Sequence, residues 1–298
     1  MKSGTVAVIG RANAGKSTLI NVIVGEKVSI VSPKPQTTRD RILAVYNAED
    51  CQIVFQDTPG IYKAATLLSE RMQKATESAS KDVDLLLLLI DAHEGLKDED
   101  KALIGRFSTR GYPMIIAFTK TDIMPENKLM QVISELGELP KNVCDVTAIS
   151  ARTGKNVKLL LKLIKDRLPE GEPLITENII SDKSERFMIA EIMREKVLLK
   201  YDKEIPHGVA IVINVFEKRE KGSYYINLDI VCEKQNHKAI IIGKQGKALK
   251  ETSSFAREGM EKFLQAKVFL EVYVKVKPEW RDRPERLREF GYSEDDMR

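Results

Sequence analysis

Over roughly its first half the chain alternates short apolar runs with stretches whose apolar positions recur at helical spacing. Thr5–Ile9, Arg41–Asn47, Cys51–Gln56, Val83–Asp91, Pro113–Thr119 and Asp145–Ile149 read as strands, and Lys16–Val24, Thr66–Ser80, Asp98–Thr109, Glu126–Gly137 and Asn156–Leu168 as helices. Such alternation is the signature of βαβ units, so an α/β domain with a mostly parallel six-stranded sheet and helices on both faces is expected. Arg41–Asn47 and Cys51–Gln56 are separated only by Ala48-Glu49-Asp50 and read as a hairpin at the sheet edge. Between the first helix and that hairpin, Glu26–Asp40 carries Pro33, Pro35 and the polar run Gln36–Asp40 without periodicity; it reads as an exposed loop and a candidate switch.

The pattern changes at Leu168-Pro169-Glu170-Gly171-Glu172-Pro173, where two prolines and a glycine follow a helix end. Beyond it, Arg186–Leu199 has a helical apolar face, Val209–Phe216 and Tyr224–Val231 are strand-like, two helical pieces flank Gly243, and Val268–Lys277 is a last strand. The expected division is a domain over 1–170, a linker over 171–185, and an α+β domain over 186–298 with element order α-β-β-α-α-β.

Composition narrows the setting. With 298 residues and 43% apolar content two cores are affordable, and a net charge of +4 excludes a wholly polycationic chain while allowing a local basic patch. Cys51, Cys144 and Cys232 lie far apart with no C-x-x-C spacing, which fits a reducing cytoplasm rather than a disulfide framework or a zinc site. Met1–Gly4 leads into the first strand without a signal-peptide core, and Leu85–Ile90 is too short to span a bilayer.

Candidate chemistry begins at Gly10–Ser17, which fits G-x-x-x-x-G-K-[S/T] between a strand and a helix. Glycines let backbone N–H groups turn toward phosphate oxygens at a helix N-terminus, Lys16 reaches the β- and γ-phosphates, and Ser17 ligates Mg²⁺. Asp57-Thr58-Pro59-Gly60 closes a predicted strand as a D-x-x-G, whose carboxylate holds Mg²⁺ through water and whose glycine N–H meets the γ-phosphate. Thr119-Lys120-Thr121-Asp122 supplies a carboxylate that can accept from guanine N1–H and N2–H₂; adenine offers no N1 proton, which selects GTP over ATP. Ser150-Ala151-Arg152 is expected to complete the base pocket with backbone N–H groups near the guanine O6. In the second domain Gly243-Lys244-Gln245-Gly246 lies in a window, Lys234–Lys250, with five lysines and no carboxylate. A glycine pair admits a nucleic-acid backbone closely while lysines neutralise phosphates, the KH mode of binding single-stranded RNA. Trp280 has two readings, stacking on a base or packing the C-terminal segment onto its domain.

Together these residues resemble the translation-factor-like GTPases, and within them the Era family, along the full chain. The five guanine-nucleotide motifs of that family read here as Gly10–Ser17, Gln36–Asp40, Asp57–Gly60, Thr119–Asp122 and Ile149–Ala151. The resemblance implies a P-loop G domain followed by a KH type II domain, GTP hydrolysis to GDP and phosphate, and GTP/GDP with Mg²⁺ as cofactors. Nucleotide would be bound by Gly10, Asn13, Ala14, Gly15, Lys16, Ser17, Thr18, Asp57, Gly60, Thr119, Lys120, Asp122, Ser150 and Ala151, with Ser17, Thr38 and Asp57 around the metal. Lys16, Asn13, Thr38 and Gly60 would carry catalysis, with Thr37 an alternative to Thr38. RNA would meet Lys238, Ile242, Gly243, Lys244, Gln245, Gly246, Lys247 and Lys250. Two departures stand out: the family places Asn where this chain has Thr119, and Ile61 occupies the position of the water-orienting glutamine of Ras-like GTPases. Asn13 matches the phosphate-loop asparagine that helps related GTPases hold K⁺ against the phosphates, so K⁺ is a candidate cofactor. The implied partners are the 3′ end of 16S ribosomal RNA and the small (30S) ribosomal subunit during its assembly, in the cytoplasm, with a family tendency toward peripheral membrane association. No DNA partner and a monomeric chain are expected; a GTP-dependent RNA chaperone without hydrolysis is the alternative function. GTP would order Gln36–Asp40 and Asp57–Tyr62, and hydrolysis would release them.

Overall fold

The computed structural model describes residues 1–61, 65–176 and 179–292. Tyr62, part of the expected 171–185 linker and the end of the tail therefore lie outside the described residues. Strands β1 (Lys2–Gly10), β2 (Ile42–Ala48), β3 (Cys51–Asp57), β4 (Leu85–Asp91), β5 (Met114–Thr119) and β6 (Val143–Ala148) form one sheet in the order β2-β3-β1-β4-β5-β6. Every pair is parallel except β2 with β3, the edge hairpin. Around it run α1 (Lys16–Val24), α2 (Leu67–Ala79), α3 (Asp98–Ser108), α4 (Glu126–Ser134) and α5 (Val157–Arg167).

The sheet is dry because helices cover both faces, which is why Leu85–Ile90 can be apolar without alternation. On one face Leu19 and Ile20 of α1 and Leu160 and Ile164 of α5 pack against Val6, Val8, Leu87 and Leu89. On the other, Leu103 and Phe107 of α3 cover Ala7, Ile9, Leu86 and Leu88. The residues that leave the carboxyl ends of β1, β3 and β5 are thereby gathered along one rim, where such sheets bind ligands.

A second sheet holds β7 (Ala210–Lys218), β8 (Tyr224–Cys232) and β9 (Val268–Val276), with β7 antiparallel and β9 parallel to β8. Helices α6 (Glu185–Lys200), α7 (Gln235–Ile242) and α8 (Lys247–Leu264) lay Ile189, Ile192, Met193, Ile241, Ala256 and Met260 on Ile226, Leu228 and Ile230. Ser184 starts α6 by accepting the Phe187 N–H on its hydroxyl. A short helix, α9 (Pro284–Glu289), ends the described chain.

Where the two domains meet, the structure corrects one reading and decides between the two alternatives for Trp280. Glu26–Asp40 is not an exposed loop: Val28, Ser29, Ile30, Thr38, Arg39 and Asp40 are buried. Polar residues without periodicity read as solvated, but here α6 supplies their partners. Glu195 accepts from Lys27 Nζ at 2.8 Å and from Val31 N at 3.2 Å, and Arg194 donates to the carbonyls of Gln36 and Thr37. Trp280, in turn, cannot stack on a base. It is fully buried, donates from Nε1 to the Gly208 carbonyl at 2.9 Å, and packs with Leu68 and Met72 of α2. The connection between the domains is also bound down. Ile180 O accepts from Val45 N at 2.8 Å and Asp182 Oδ1 from Leu43 N at 2.9 Å, which covers the free edge of β2.

Among the described residues no helix is long and apolar enough to cross a membrane. Ile226 sits wholly buried in the central strand of the smaller sheet, so Ile226→Ala should remove about 2–5 kcal/mol of stability from that domain, read as an earlier urea midpoint of its unfolding.

Candidate functional site

The phosphate loop is shaped by residues that few side chains could replace. Gly10 has φ +152°, and a Cβ there would stand 2.5 Å from the Leu89 carbonyl of the neighbouring strand. Gly15 has φ +89° and precedes the first turn of α1, so its amide belongs to the helix N-terminus. Gly60 passes so near the loop that a Cβ would come within 2.8 Å of Ala12 Cα. Lys16 Nζ is buried and donates to the carbonyls of Gly10 at 3.1 Å and Arg11 at 3.0 Å. Burial lowers its ammonium to about 8, against the pull of Asp57.

Three oxygens converge beside it. Ser17 Oγ donates to Asp57 Oδ2 at 2.7 Å and lies 3.0 Å from Thr38 Oγ1. Asp57 is fully buried, its Oδ1 has no partner, and burial pushes its carboxyl above the usual range despite Ser17, Lys16 and Ser29. A divalent cation fits this cluster: adjacent ligands of an octahedral Mg²⁺ with bonds of about 2.1 Å lie roughly 3.0 Å apart, the Ser17–Thr38 spacing found here. A metal would also satisfy the orphaned carboxylate oxygen. The choice between the two switch threonines is geometric, since Thr37 Oγ1 donates instead to the Lys34 carbonyl at 2.6 Å. Asn13, left-handed at φ +62°, donates its amide to the Pro33 carbonyl of the switch loop. Asn13, Lys16, Ser17 and Thr38, with Thr18, Ile30, Gln36, Gly60 and Lys120, line a cavity of about 280 Å³.

A second cavity, of about 230 Å³, adjoins it through Gly15, Thr18 and Lys120 and is otherwise lined by Thr119, Asp122, Ile123, Ala151 and Arg152. Asp122 is oriented by the Ser150 hydroxyl, which donates to its Oδ1 at 2.7 Å. The Ser150 N–H is not available to a base as expected, because it donates to the Lys155 carbonyl at 3.0 Å. Serine thus enters the site through its side chain, and Ala151 through the wall. Lys120 is left-handed at φ +57°, and Asp91 accepts from its Nζ at 2.6 Å, holding the stem across the cavity mouth. Thr119 ties the phosphate loop to the sheet: its hydroxyl lies 2.8 Å from the Ala14 carbonyl and 3.2 Å from that of Ile90.

Sequence reasoning missed Ser29 and Asp91. Ser29 Oγ donates to Asp57 Oδ2 at 2.8 Å from a loop with no internal register, and nothing in the chain marks it. Asp91 could have been found, since it closes β4 on the rim where every other candidate lies.

The expected RNA residues form one surface. α7 ends at Ile242, Gly243 (φ +70°) and Gly246 (φ +75°) bracket a single turn containing left-handed Gln245, and α8 starts at Lys247. Lys244, Gln245, Lys247 and Lys250 are exposed, Lys238 and Ile242 half-buried. Tyr201 braces the turn from beneath, its hydroxyl donating to the Ile241 carbonyl at 2.9 Å beside Thr252.

Because phosphate oxygens favour the ammonium form, affinity for GDP should fall as pH rises through the lowered value of Lys16, which is about 8, by roughly tenfold per pH unit beyond it. Titration calorimetry between about pH 7 and 9 reads the slope, and Lys16→Arg, which stays charged, should flatten it.

Comparison with known proteins agrees with this geometry. A family model described as 50S ribosome-binding GTPase matches residues 5–120, and one described as KH domain matches residues 204–281. GTPase Era of Clostridium kluyveri is 45% identical over 292 residues, covering 98% of this chain and 99% of that one. GTPase Era of Clostridium tetani is 45% identical over 291 residues, covering 98% and 99%. Among solved structures, Era in complex with MgGDPNP and nucleotides 1506–1542 of 16S ribosomal RNA superposes with a TM-score of 0.94 at 40% identity over 98% of this chain and 99% of that one. A variant of Aquifex aeolicus Era bound to GDP·AlF4⁻ gives 0.93 at 39% identity over 98% and 100%. The phosphate-loop pattern, the Asp122 carboxylate, the clustered oxygens of Ser17, Thr38 and Asp57 and the G-x-x-G turn occur together in a chain aligned over 98% of its length with these relatives, and the chain belongs to the Era family of GTPases.

Proposed function

We propose that this protein is a GTP-driven switch that hydrolyses GTP to GDP and phosphate, binds the single-stranded 3′ end of 16S ribosomal RNA through its KH domain, and assists assembly of the small ribosomal subunit. The observation that carries the reading is that one loop serves both domains. Thr38 faces Ser17 at 3.0 Å, while the carbonyls of the two residues before it, Gln36 and Thr37, accept from Arg194 of α6. A segment whose order depends on the γ-phosphate and Mg²⁺ is therefore also a contact of the RNA-binding domain.

In this reading Lys16 and the amides of Gly15, Lys16 and Gly60 hold the β- and γ-phosphates, and Ser17, Thr38 and Asp57 hold Mg²⁺. Bound by these residues, Mg²⁺ would neutralise charge that builds on the phosphate oxygens. Asp122 accepts from the guanine edge, with Ser150 fixing its carboxylate. Ile61 cannot orient water, so turnover is slow and charge stabilisation has to come from another group. The Asn13 amide is engaged with Pro33, which leaves its carbonyl oxygen to face a K⁺. The KH domain reads RNA at Lys244–Lys247, with Lys238 and Lys250 neutralising phosphates and Ile242 under the bases. The choice of ribosomal subunit rests on the relative bound to 16S RNA, since the model whose description names the 50S covers only residues 5–120. We further propose that the chain acts as a cytoplasmic monomer, with any membrane association peripheral.

Released phosphate measures the enzyme: Lys16→Ala should abolish turnover, and GTP binding by the wild type without release would favour the chaperone alternative. Exchanging Na⁺ for K⁺ should accelerate hydrolysis, and equal rates would reject the role given to Asn13. For RNA, Lys244→Glu with Lys247→Glu should weaken binding of a 16S 3′-end oligonucleotide on the order of tenfold or more while leaving GDP affinity intact. Glycine substitutions are less clean, because a Cβ on Gly243 would meet Ala248 Cβ at 2.5 Å and deform the turn itself.

A further inference from the structure

Next to Thr38 stands a side chain that no part of the nucleotide chemistry uses. Arg39 is 1% exposed and points away from the phosphate loop into the second domain. Its Nη1 donates to the Val209 carbonyl at 2.7 Å and its Nη2 to that of His207 at 3.0 Å. The guanidinium carbon lies 5.7 Å from both the Trp280 and the Tyr292 ring, which are themselves stacked at 5.9 Å. The Tyr292 hydroxyl stands 3.4 Å from Nη1. Arg39 Nε has no partner, and burial works against its charge, as does neighbouring Arg194. Glu191 favours the charge without bonding to it, so the guanidinium is held in place by carbonyls and aromatic faces: moved a little, it forfeits those contacts.

The same aromatic pair also packs against α2. Leu67 N donates to Asp282 Oδ1 at 2.9 Å, and Leu68 and Met72 of α2 pack with Trp280, Leu287 and Tyr292. The loop that ends at Thr38, through Arg39, and the helix α2 are thus both anchored on or beside the C-terminal stretch 280–292. Thr38 lies in a loop without secondary structure and its hydroxyl reaches only Ser17, so its place is set by its neighbours: Arg194 holds the carbonyls of Gln36 and Thr37 before it, and Arg39 is seated directly after it.

We infer that Arg39 is a positioning residue for hydrolysis, and that Trp280 and Tyr292 of the C-terminal segment, by seating its guanidinium, hold the Thr38 hydroxyl where Mg²⁺ needs it. The second domain thereby contributes to the first domain's reaction without touching substrate. This rests on the proposed GTPase function and adds a requirement to it: the tail must be seated for the metal site to be complete. GDP, which has no γ-phosphate for the switch loop to follow, does not depend on the seat.

Full-length Arg39→Ala and Arg39→Lys test this, with kcat, KM for GTP, the Mg²⁺ concentration for half-maximal rate, and GDP affinity measured for each. Arg39→Ala should lower kcat about tenfold and raise the Mg²⁺ requirement several-fold, with GDP affinity within about twofold of wild type. Arg39→Lys, which keeps the charge but not the two-carbonyl fork, should fall between them. Trp280→Phe should retain most activity and Trp280→Ala should reproduce Arg39→Ala; should the latter fail to fold, Tyr292→Ala takes its place. Unchanged kcat and Mg²⁺ dependence in Arg39→Ala would overturn the inference, as would parallel losses of GDP affinity and thermal stability, which would mark a structural role. A wild-type protein that releases no phosphate would instead overturn the GTPase reading beneath it.

Discussion

The structure turns on a hydrogen-bonded cluster of three oxygens, those of Ser17, Thr38 and Asp57, brought together from three separate stretches of chain. Each arrives for a different reason. Ser17 is fixed by the first turn of α1, Asp57 by the buried end of β3, and Thr38 by a loop that has no regular structure of its own. Carboxylate burial makes the assembly costly without a cation: Asp57 Oδ1 is orphaned and its carboxyl is displaced upward. Metal and triphosphate are what the fold is shaped to receive.

Much of this was legible in the chain because the phosphate-binding, metal-binding and base-reading residues belong to local motifs at strand ends. Gly10–Ser17, Asp57–Gly60 and Thr119–Asp122 each close a strand, and the parallel order of the sheet puts those ends on one rim. The dry strands, Leu85–Ile90 above all, and the glycine turn at Gly243 are likewise fixed by neighbours a few residues away. Helix ends shifted by a residue or two where caps decide them, as with Thr66 and its capping box to Ser69.

What the chain did not reveal depends on residues far apart in sequence. Glu26–Asp40 looks solvated because its polar groups have no partners within reach along the chain; from the second domain Glu195 and Asp202 pair with the Lys27 and Lys34 side chains, and Arg194 with the Gln36 and Thr37 carbonyls. Trp280 stayed open between stacking on a base and packing the C-terminal segment because its partners are distant in sequence; its ring lies under α2 and against Tyr292. The same holds for Thr37 and Thr38. Only the fold distinguishes them, by turning one hydroxyl back onto its own loop and the other onto Ser17.

The nucleotide selectivity ascribed to Asp122 is the central claim, because the metal cluster, the switch and the partnership with RNA all presuppose the right triphosphate. Competition against a fluorescent GDP in the presence of Mg²⁺ tests it most directly. GTP should displace the probe and ATP should not, even in large excess; displacement by ATP at a concentration comparable to GTP would contradict the account.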